Sequence, residues 1–338
     1  MPKPNCVWVE LTARGSGLRV PGNNHCPQPA APSPQLTVAL VLILSGCATP
    51  QYAIRGTPVP DESPEALTIE RSISAVQAQA FERQGARPIG LEERVSGFAV
   101  QHLVDRLSTV TERPSLRYRA FLYRAPDPNA AALADGRIYV SSGLMTYLSQ
   151  RGRREERMPS DVEAELAFVL GHEIGHTVAQ HLVKRYHTLQ QQQLLMSLVA
   201  VGAAAAARGA STGAQAAGRL AMDVASMLQD VANSGYSQAQ ELEADQLGIR
   251  YVIRAGYEPT AALDLLQDFA RFDSPSPFLR THPYIVQRRA DLERYLADLG
   301  SMGSERVRRL RQAQALYPKD SISWKNLQQQ IDRLETPQ

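Results

Sequence analysis

Cysteine is scarce in this 338-residue chain, and none of the three copies, Cys6, Cys26 and Cys47, falls after residue 47. The body that follows therefore has no disulfide framework and must take its stability from a packed core, which a chain of this length buries easily. Charge of one sign is also lacking: 36 basic residues stand against 34 acidic ones, a formal net charge of +2. That balance argues against a nucleic-acid binder and against a strongly acidic partner. Long apolar runs are missing as well. Leu36–Leu44 covers nine residues and the uncharged stretch Leu194–Ala207 covers fourteen, both short of the roughly 20 that a membrane-spanning helix needs.

What the chain does have is His172-Glu173-Ile174-Gly175-His176, an HExxH motif. On a helix, residues four apart lie about 40° apart around the axis, so the two imidazoles converge on one point, and Glu173 falls on the same face. Two imidazoles with a carboxylate beside them are the donor set and general base of a catalytic zinc site. The alternative is a solvated helix face that happens to carry two histidines. Val162, Leu166, Val169 and Leu170 recur at helical spacing, so the motif is expected on a helix with a buried face, opened by a Ser160–Glu163 capping box after Pro159.

A catalytic zinc ion usually takes three protein ligands. His181 lies five residues after His176, one short of the elongated zinc motif, and reads as a surface histidine or one that supports a ligand. Glu241-Leu242-Glu243-Ala244-Asp245 offers more. Glu241 and Asp245 share a helix face, while Glu243 is expected to point to the far side. A glutamate donor with an aspartate one turn on, placed to orient a ligating histidine, suits a metal site. The competing reading is an acidic, solvated helix face.

HExxH followed 65 residues later by ExxxD resembles the zinc endopeptidases that include the CAAX prenyl protease and the HtpX heat-shock protease. Further blocks match that family in order: Asn129-Ala130, then Gly136-Arg137-Ile138-Tyr139-Val140 and Gly143-Leu144; the lead-in Glu165–Gly171; Ala255-Gly256-Tyr257-Glu258-Pro259; and Thr281-His282-Pro283 with Arg288. The match covers roughly residues 90–297 and is nearest to secreted, BepA-like or LoiP-like members. The resemblance implies an α+β fold, predominantly helical, of gluzincin type, with a small β-sheet beside the active-site helix. It implies one Zn²⁺ per chain held by His172, His176 and Glu241, with Glu173 as general base and Asp245 behind a ligand imidazole. By the same resemblance His282 either stabilises the oxyanion or enters as a fourth ligand that keeps the enzyme latent. Arg288 supports that loop or the developing charge.

The run Leu36–Leu44 ending in Leu44-Ser45-Gly46-Cys47 has the short core of an export signal. Its ending resembles the bacterial lipobox, which makes Cys47 the expected lipidation site and first mature residue. A plain secretory signal is the other reading. Ala48 resembles the sorting signal for the outer membrane, so the expected location is the bacterial cell envelope, as a periplasm-facing lipoprotein. Residues 1–35 lack a basic cluster beside the core, and translation is expected to start later.

The expected organisation is a leader over 1–46, a lipid anchor and proline-rich tether over 47–64, a zinc metalloprotease domain over 65–297, and a C-terminal helical cap over 298–338 that resembles part of a tetratricopeptide repeat. Helices are expected over Glu65–Glu82 and Val95–Leu107, and strands near 116–124 and 136–141 around the break at Pro126–Asn129. Leu194–Ala207 reads as a packed or interfacial helix, and 208–236 as a lid or substrate-facing hairpin. The implied function is a zinc metalloendopeptidase acting on unfolded or misassembled envelope proteins, with the outer-membrane assembly machinery as a possible partner and no role for nucleic acid. The alternative is a non-proteolytic, zinc-locked chaperone or scaffold for outer-membrane protein assembly.

Overall fold

The helix that carries the HExxH motif has no solvated face: from Ala164 to Val178 every residue is buried. An α-helix enclosed on all sides must be apolar nearly all round, and the polar exceptions here, Glu165, His172, Glu173, His176 and Thr177, are buried with it. The helix begins two residues earlier than the capping-box reading places it. Met158 is the N-cap, Pro159 takes the first helical position, and no side chain caps the end. Proline has no N–H to leave unpaired and its fixed φ suits that first position, which makes Ser160 the second helical residue rather than the cap.

The computed structural model describes residues 52–201, 226–227, 235–271 and 280–335. The leader, the apolar run, Cys47 and most of 208–236 lie outside the described residues. In chain order the elements are α1 (Pro64–Arg83), β1 (Arg87–Pro88), α2 (Val100–Ser108), β2 (Arg119–Tyr123), β3 (Ala130–Ala132), β4 (Arg137–Ser141), α3 (Ser142–Arg154), α4 (Pro159–Val178), α5 (His181–Val201), α6 (Gln238–Arg254), α7 (Ala261–Phe269), α8 (Ile285–Gln314) and α9 (Ile322–Glu335). The fold is predominantly helical with one small mixed sheet in the order β1-β2-β4-β3. β2 runs parallel to β4, and β1 and β3 pair antiparallel at the two edges. The strands expected near 116–124 and 136–141 are β2 and β4. The helix expected from Val95 starts at Val100, because Val95 and Phe98 instead form an isolated bridge.

β3 has no strand signature, being three alanines. It forms because Ala130 and Ala132 are buried against the core and register with Val140 and Ile138 of β4. This edge strand lies beside α4, and the Ala132 N–H donates to Glu173 Oε2 at 2.8 Å.

On its other side α4 packs against α6 almost backbone to backbone. A Cβ on Gly248 would stand 2.9 Å from the His172 backbone nitrogen, and one on Gly171 would stand 3.2 Å from the Gly248 carbonyl oxygen. Only glycine at these positions lets the two helices approach so closely. The main core gathers α2, the sheet, α4, α6 and α7, with Leu103, Ile138, Leu166, Leu170, Leu247 and Leu265 among its members.

The stretch expected to be a tether is docked over its described part. Buried Gln246 donates through Nε2 to the Ala53 carbonyl and accepts at Oε1 from the Arg55 N–H, at 2.9 and 2.7 Å. Gln180 does the same for Asp61, at 2.8 and 2.7 Å. At the other end of the chain, α8 runs unbroken through residue 297. α9 folds back on it, held by Gln314 Nε2 donating to the Trp324 carbonyl and to Gln328 Oε1. Among the described residues no helix is long and apolar enough to cross a membrane. The fourteen-residue stretch Leu194–Ala207 enters α5 as far as Val201, and its remainder lies outside the described residues.

Candidate functional site

Three segments far apart in sequence meet at one buried point. α4 contributes His172, Glu173 and His176. α6 contributes Glu241 in its first turn, where a carboxylate also gains from the helix dipole. Its start is fixed by Ser237 and Gln240, whose side chains cap each other's backbone N–H in a reciprocal box. The third segment, Thr281-His282-Pro283-Tyr284, leads into α8. Tyr284 adopts φ 66° as the residue before that helix, a left-handed conformation that costs a non-glycine residue about 1 kcal/mol. Strain of this kind persists where surrounding contacts hold it. Here a Cβ on Gly235, itself at φ +70°, would stand 2.6 Å from the Arg280 and 2.9 Å from the Thr281 carbonyl oxygen, and the Tyr236 N–H donates to the Thr281 carbonyl at 3.0 Å.

One donor atom from each of His172, His176, Glu241 and His282 lies within 4.8 Å of the other three, and all four residues are buried. His172 Nε2 is 3.1 Å from His176 Nε2 and 3.6 Å from Glu241 Oε2, and His176 Nε2 is 3.5 Å from Glu241 Oε1. His282 Nδ1 stands 3.1 Å from His172 Nε2 and 3.2 Å from Glu241 Oε1. Ligands at about 2.0–2.1 Å from a tetrahedral zinc stand about 3.3–3.4 Å from one another, and these contacts lie near that spacing, with Glu241 presenting Oε2 to His172 and Oε1 to His176 and His282.

The surroundings aim the donors inward. Asp245 Oδ1 lies 2.9 Å from His172 Nδ1, and a carboxylate there accepts the Nδ1 hydrogen, leaving the Nε2 lone pair to face the centre. Arg288 forks onto Asp245 through Nε and Nη2, at 2.8 and 2.7 Å, and its Nη1 reaches Glu241 Oε2 at 2.8 Å. Tyr236 stacks on His176 with ring centroids 3.9 Å apart. Glu173 Oε2 accepts the Ala132 N–H, whereas Oε1 lies 3.2 Å from His282 Nε2 without forming a hydrogen bond.

Electrostatics follow from this packing. Burial and the neighbouring imidazoles of His172, His181 and His282 hold His176 well below the usual imidazole range. Burial pushes the Glu241 carboxyl up, but Arg288 and His282 outweigh it and hold the group below its ordinary value. Asp245 is depressed further, with Arg288 outweighing burial in the same way. His282 moves oppositely: burial lowers it, but Glu173 and Glu241 together raise it.

A metal ion fits these residues. Imidazole nitrogens and a carboxylate oxygen are zinc donors, and Glu173 Oε1 beside them is a buried atom with no hydrogen bond. Two imidazole lone pairs facing each other across 3.1 Å repel unless a cation stands between them.

Every predicted site residue in the described part, His172, Glu173, His176, Glu241, Asp245, His282 and Arg288, falls in this cluster, while Cys47 lies outside the described residues. Of the two readings of His181 the surface one fails: the residue is fully buried, with Nδ1 2.8 Å from His176 Nδ1, where a histidine that supports a ligand is expected. One placement differs from the sequence reading. Glu243 does not face away from the site, because its Oε2 lies 3.2 Å from His181 Nε2. Tyr236 and Ala132 carried no signal that sequence reasoning could have used.

A profile of peptidase family M48 matches residues 98–296. The chain is 28% identical over 255 residues to the beta-barrel assembly-enhancing protease of Escherichia coli K12, covering 73% of this chain and 48% of that protein. It is 30% identical over 169 residues to the metalloprotease LoiP of the same organism, covering 49% and 58%. It is 23% identical over 208 residues to the mitochondrial metalloendopeptidase OMA1 of Schizosaccharomyces pombe, covering 59% and 52%. The chain spans about half the length of the curated relatives it matches.

Proposed function

The chain belongs to peptidase family M48, and from that premise we propose that it is a zinc metalloendopeptidase of gluzincin type that hydrolyses peptide bonds of misfolded or misassembled cell-envelope proteins. The observation that carries this reading is the four-donor cluster with Glu173 directly beside it. His172, His176 and Glu241 would hold one Zn²⁺. When bound, zinc supplies Lewis acidity, which brings a water's pKa down to about 7.

Glu173 is placed to take the proton from the attacking water at Oε1, because Oε2 is already held by the Ala132 N–H. The same carboxylate then hands that proton to the leaving amine. β3 is a sheet edge, and an extended peptide bound along such an edge by main-chain hydrogen bonds would pass over the cluster. Asp245 holds the His172 ring in its tautomer, and Arg288 fixes Asp245, Glu241 and the His282 carbonyl together.

His282 occupies the fourth corner with Nδ1 and confronts Glu173 with Nε2. This position supports a latent resting enzyme in which His282 must withdraw before substrate enters. As an oxyanion stabiliser it would act only after that movement. We place the enzyme in the bacterial cell envelope as a lipoprotein anchored through Cys47 in the outer membrane, with unfolded envelope proteins as substrates and the outer-membrane assembly machinery as partner. The name of the E. coli beta-barrel assembly-enhancing protease supports the assembly partner.

One observation favours the second reading, a zinc-locked scaffold: four protein donors close a metal site, as structural zinc sites are closed. Casein cleavage by the purified protein, by Glu173→Gln and by His282→Ala, with zinc content measured in each, separates the two. The protease reading expects activity lost in Glu173→Gln with zinc retained, and raised in His282→Ala. Zinc bound by every form with cleavage by none overturns it in favour of the scaffold.

A further inference from the structure

Of the two imidazoles on α4, only His172 has a carboxylate directly behind it. Behind His176 stands a second imidazole, His181, and behind that a carboxylate, Glu243. The mechanism above gives neither residue a task. We propose that His181 and Glu243 are positioning residues, a one-way hydrogen-bond chain that fixes the tautomer of His176 and turns its Nε2 lone pair toward the donor cluster.

The direction of the chain follows from donor and acceptor capacity. An ionised carboxylate only accepts, so Glu243 Oε2, 3.2 Å from His181 Nε2, requires the hydrogen on that nitrogen. A neutral imidazole then presents a lone pair at its other nitrogen. His181 Nδ1, 2.8 Å from His176 Nδ1, must therefore accept, and His176 must carry its hydrogen on Nδ1. That leaves His176 Nε2 as a lone pair, 3.1 Å from His172 Nε2 and 3.5 Å from Glu241 Oε1. The reverse direction needs either a protonated Glu243 or a doubly protonated His181.

The backbone is built for this contact. α4 ends at Val178 and α5 starts at His181. Between them Gln180 takes φ 54°, a left-handed turn that brings His181 back beneath His176. Gln180 is locked in that turn, with its side chain bonded to Asp61 and to Glu70 Oε1. The five-residue spacing that disqualifies His181 as a ligand in an elongated zinc motif is thus what makes it a brace. Glu241, Glu243 and Asp245 all serve one site: the first as a donor, the others behind the two histidines.

This inference rests on the zinc peptidase reading, and the test keeps the two apart by measuring binding. Zinc affinity is measured on the full chain by competition with a fluorescent chelator, alongside the thermal midpoint of the metal-free protein. His181→Leu should weaken zinc about 10- to 100-fold, the usual effect of removing a group behind a ligand. His181→Asn, whose side-chain oxygen can accept near the position of Nδ1, should recover most of that loss. Glu243→Gln should cost several-fold, and His181→Leu combined with Glu243→Gln should cost no more than His181→Leu alone.

Equal losses in His181→Leu and His181→Asn would reduce His181 to packing and overturn the chain. So would unchanged affinity in Glu243→Gln, which keeps the inference falsifiable even if His181→Leu does not fold. A wild-type protein that takes up no zinc overturns the peptidase reading, and the brace with it.

Discussion

Replacing Gly248 by alanine should damage the site more than the fold. The added Cβ would lie 2.9 Å from the His172 backbone nitrogen and 3.2 Å from the His172 Cα, where ordinary contacts begin at 3.4 Å. Both neighbours are backbone atoms, so no side chain can swing aside. Restoring contact distance moves α6 away from α4 by about 0.5 Å, which is the tolerance within which a metal or catalytic constellation must be held. Overpacking typically costs about 1–3 kcal/mol, and alanine recovers about 1 kcal/mol of helix propensity over glycine. The expected net loss of stability is about 1–2 kcal/mol.

Zinc affinity should fall by about tenfold or more, because the shift separates the histidines of α4 from Glu241 and Asp245. Gly175→Ala, with its nearest atom at 3.0 Å, should be intermediate. Gly171→Ala, at 3.2 Å, should be near neutral once propensity is counted. Urea unfolding of the metal-free proteins and chelator competition for zinc give the two numbers for each variant. If Gly248→Ala binds zinc like the wild type, or if Gly171→Ala is the worst of the three, the packing of these helices does not set the site and the reasoning fails.

Arg288→Met should destabilise the metal-free chain by about 3–5 kcal/mol in chemical denaturation, since it leaves Asp245 and Glu241 buried without their cation; Arg288→Lys, which cannot form the fork, should restore less than half. Burial raises the hydroxyls of Tyr118 and Tyr123 from 10.0 to about 12. A raised folded-state value contributes stability that is complete below about pH 10 and lost as the pH climbs to about 12, so Tyr118→Phe or Tyr123→Phe should move the alkaline unfolding midpoint upward, and an unmoved midpoint would count against it. Gln246→Ala removes both bonds that hold Ala53 and Arg55; hydrogen exchange at the Arg55 amide should accelerate at least tenfold while amides of α4 keep their protection. Stripping zinc with a chelator should lower the thermal midpoint by the binding linkage, about 4 kcal/mol at free zinc a thousandfold above the dissociation constant, and the shift should be absent in a His172→Ala, His176→Ala double variant.

The parts of the site legible in the sequence were those written in local spacing. His172 and His176 share a helical face whatever surrounds them, and so do Glu241 and Asp245. His282 and Arg288 came from an ordered block resemblance, since no spacing rule links them to residue 172. Glu243 shows where periodicity misleads. It lies on the opposite side of α6 from Glu241, yet that side faces the start of α5 rather than solvent, because the turn at Gln180 folds α5 back. β3 was invisible because three alanines have no strand preference, and burial against Val140 and Ile138 decides the matter. The docked segment 52–62 was equally hidden: side-chain amides of residues more than a hundred positions away take up its backbone groups. The start of α4 was misplaced by two residues because a serine three positions before a glutamate outranked the simpler preference of proline for the first helical position.

The same docked segment makes the molecule directional under load. Tension applied to the chain ahead of Tyr52 reaches the hydroxyl bond to Asp298 on α8 first, then the paired amide bonds of Gln246 on α6, and only later those of Gln180 and the body of α1. Gln246 follows Asp245 directly. A pull at this end of the chain is therefore delivered to the helix that carries Glu241 and Asp245, two residues of the buried cluster.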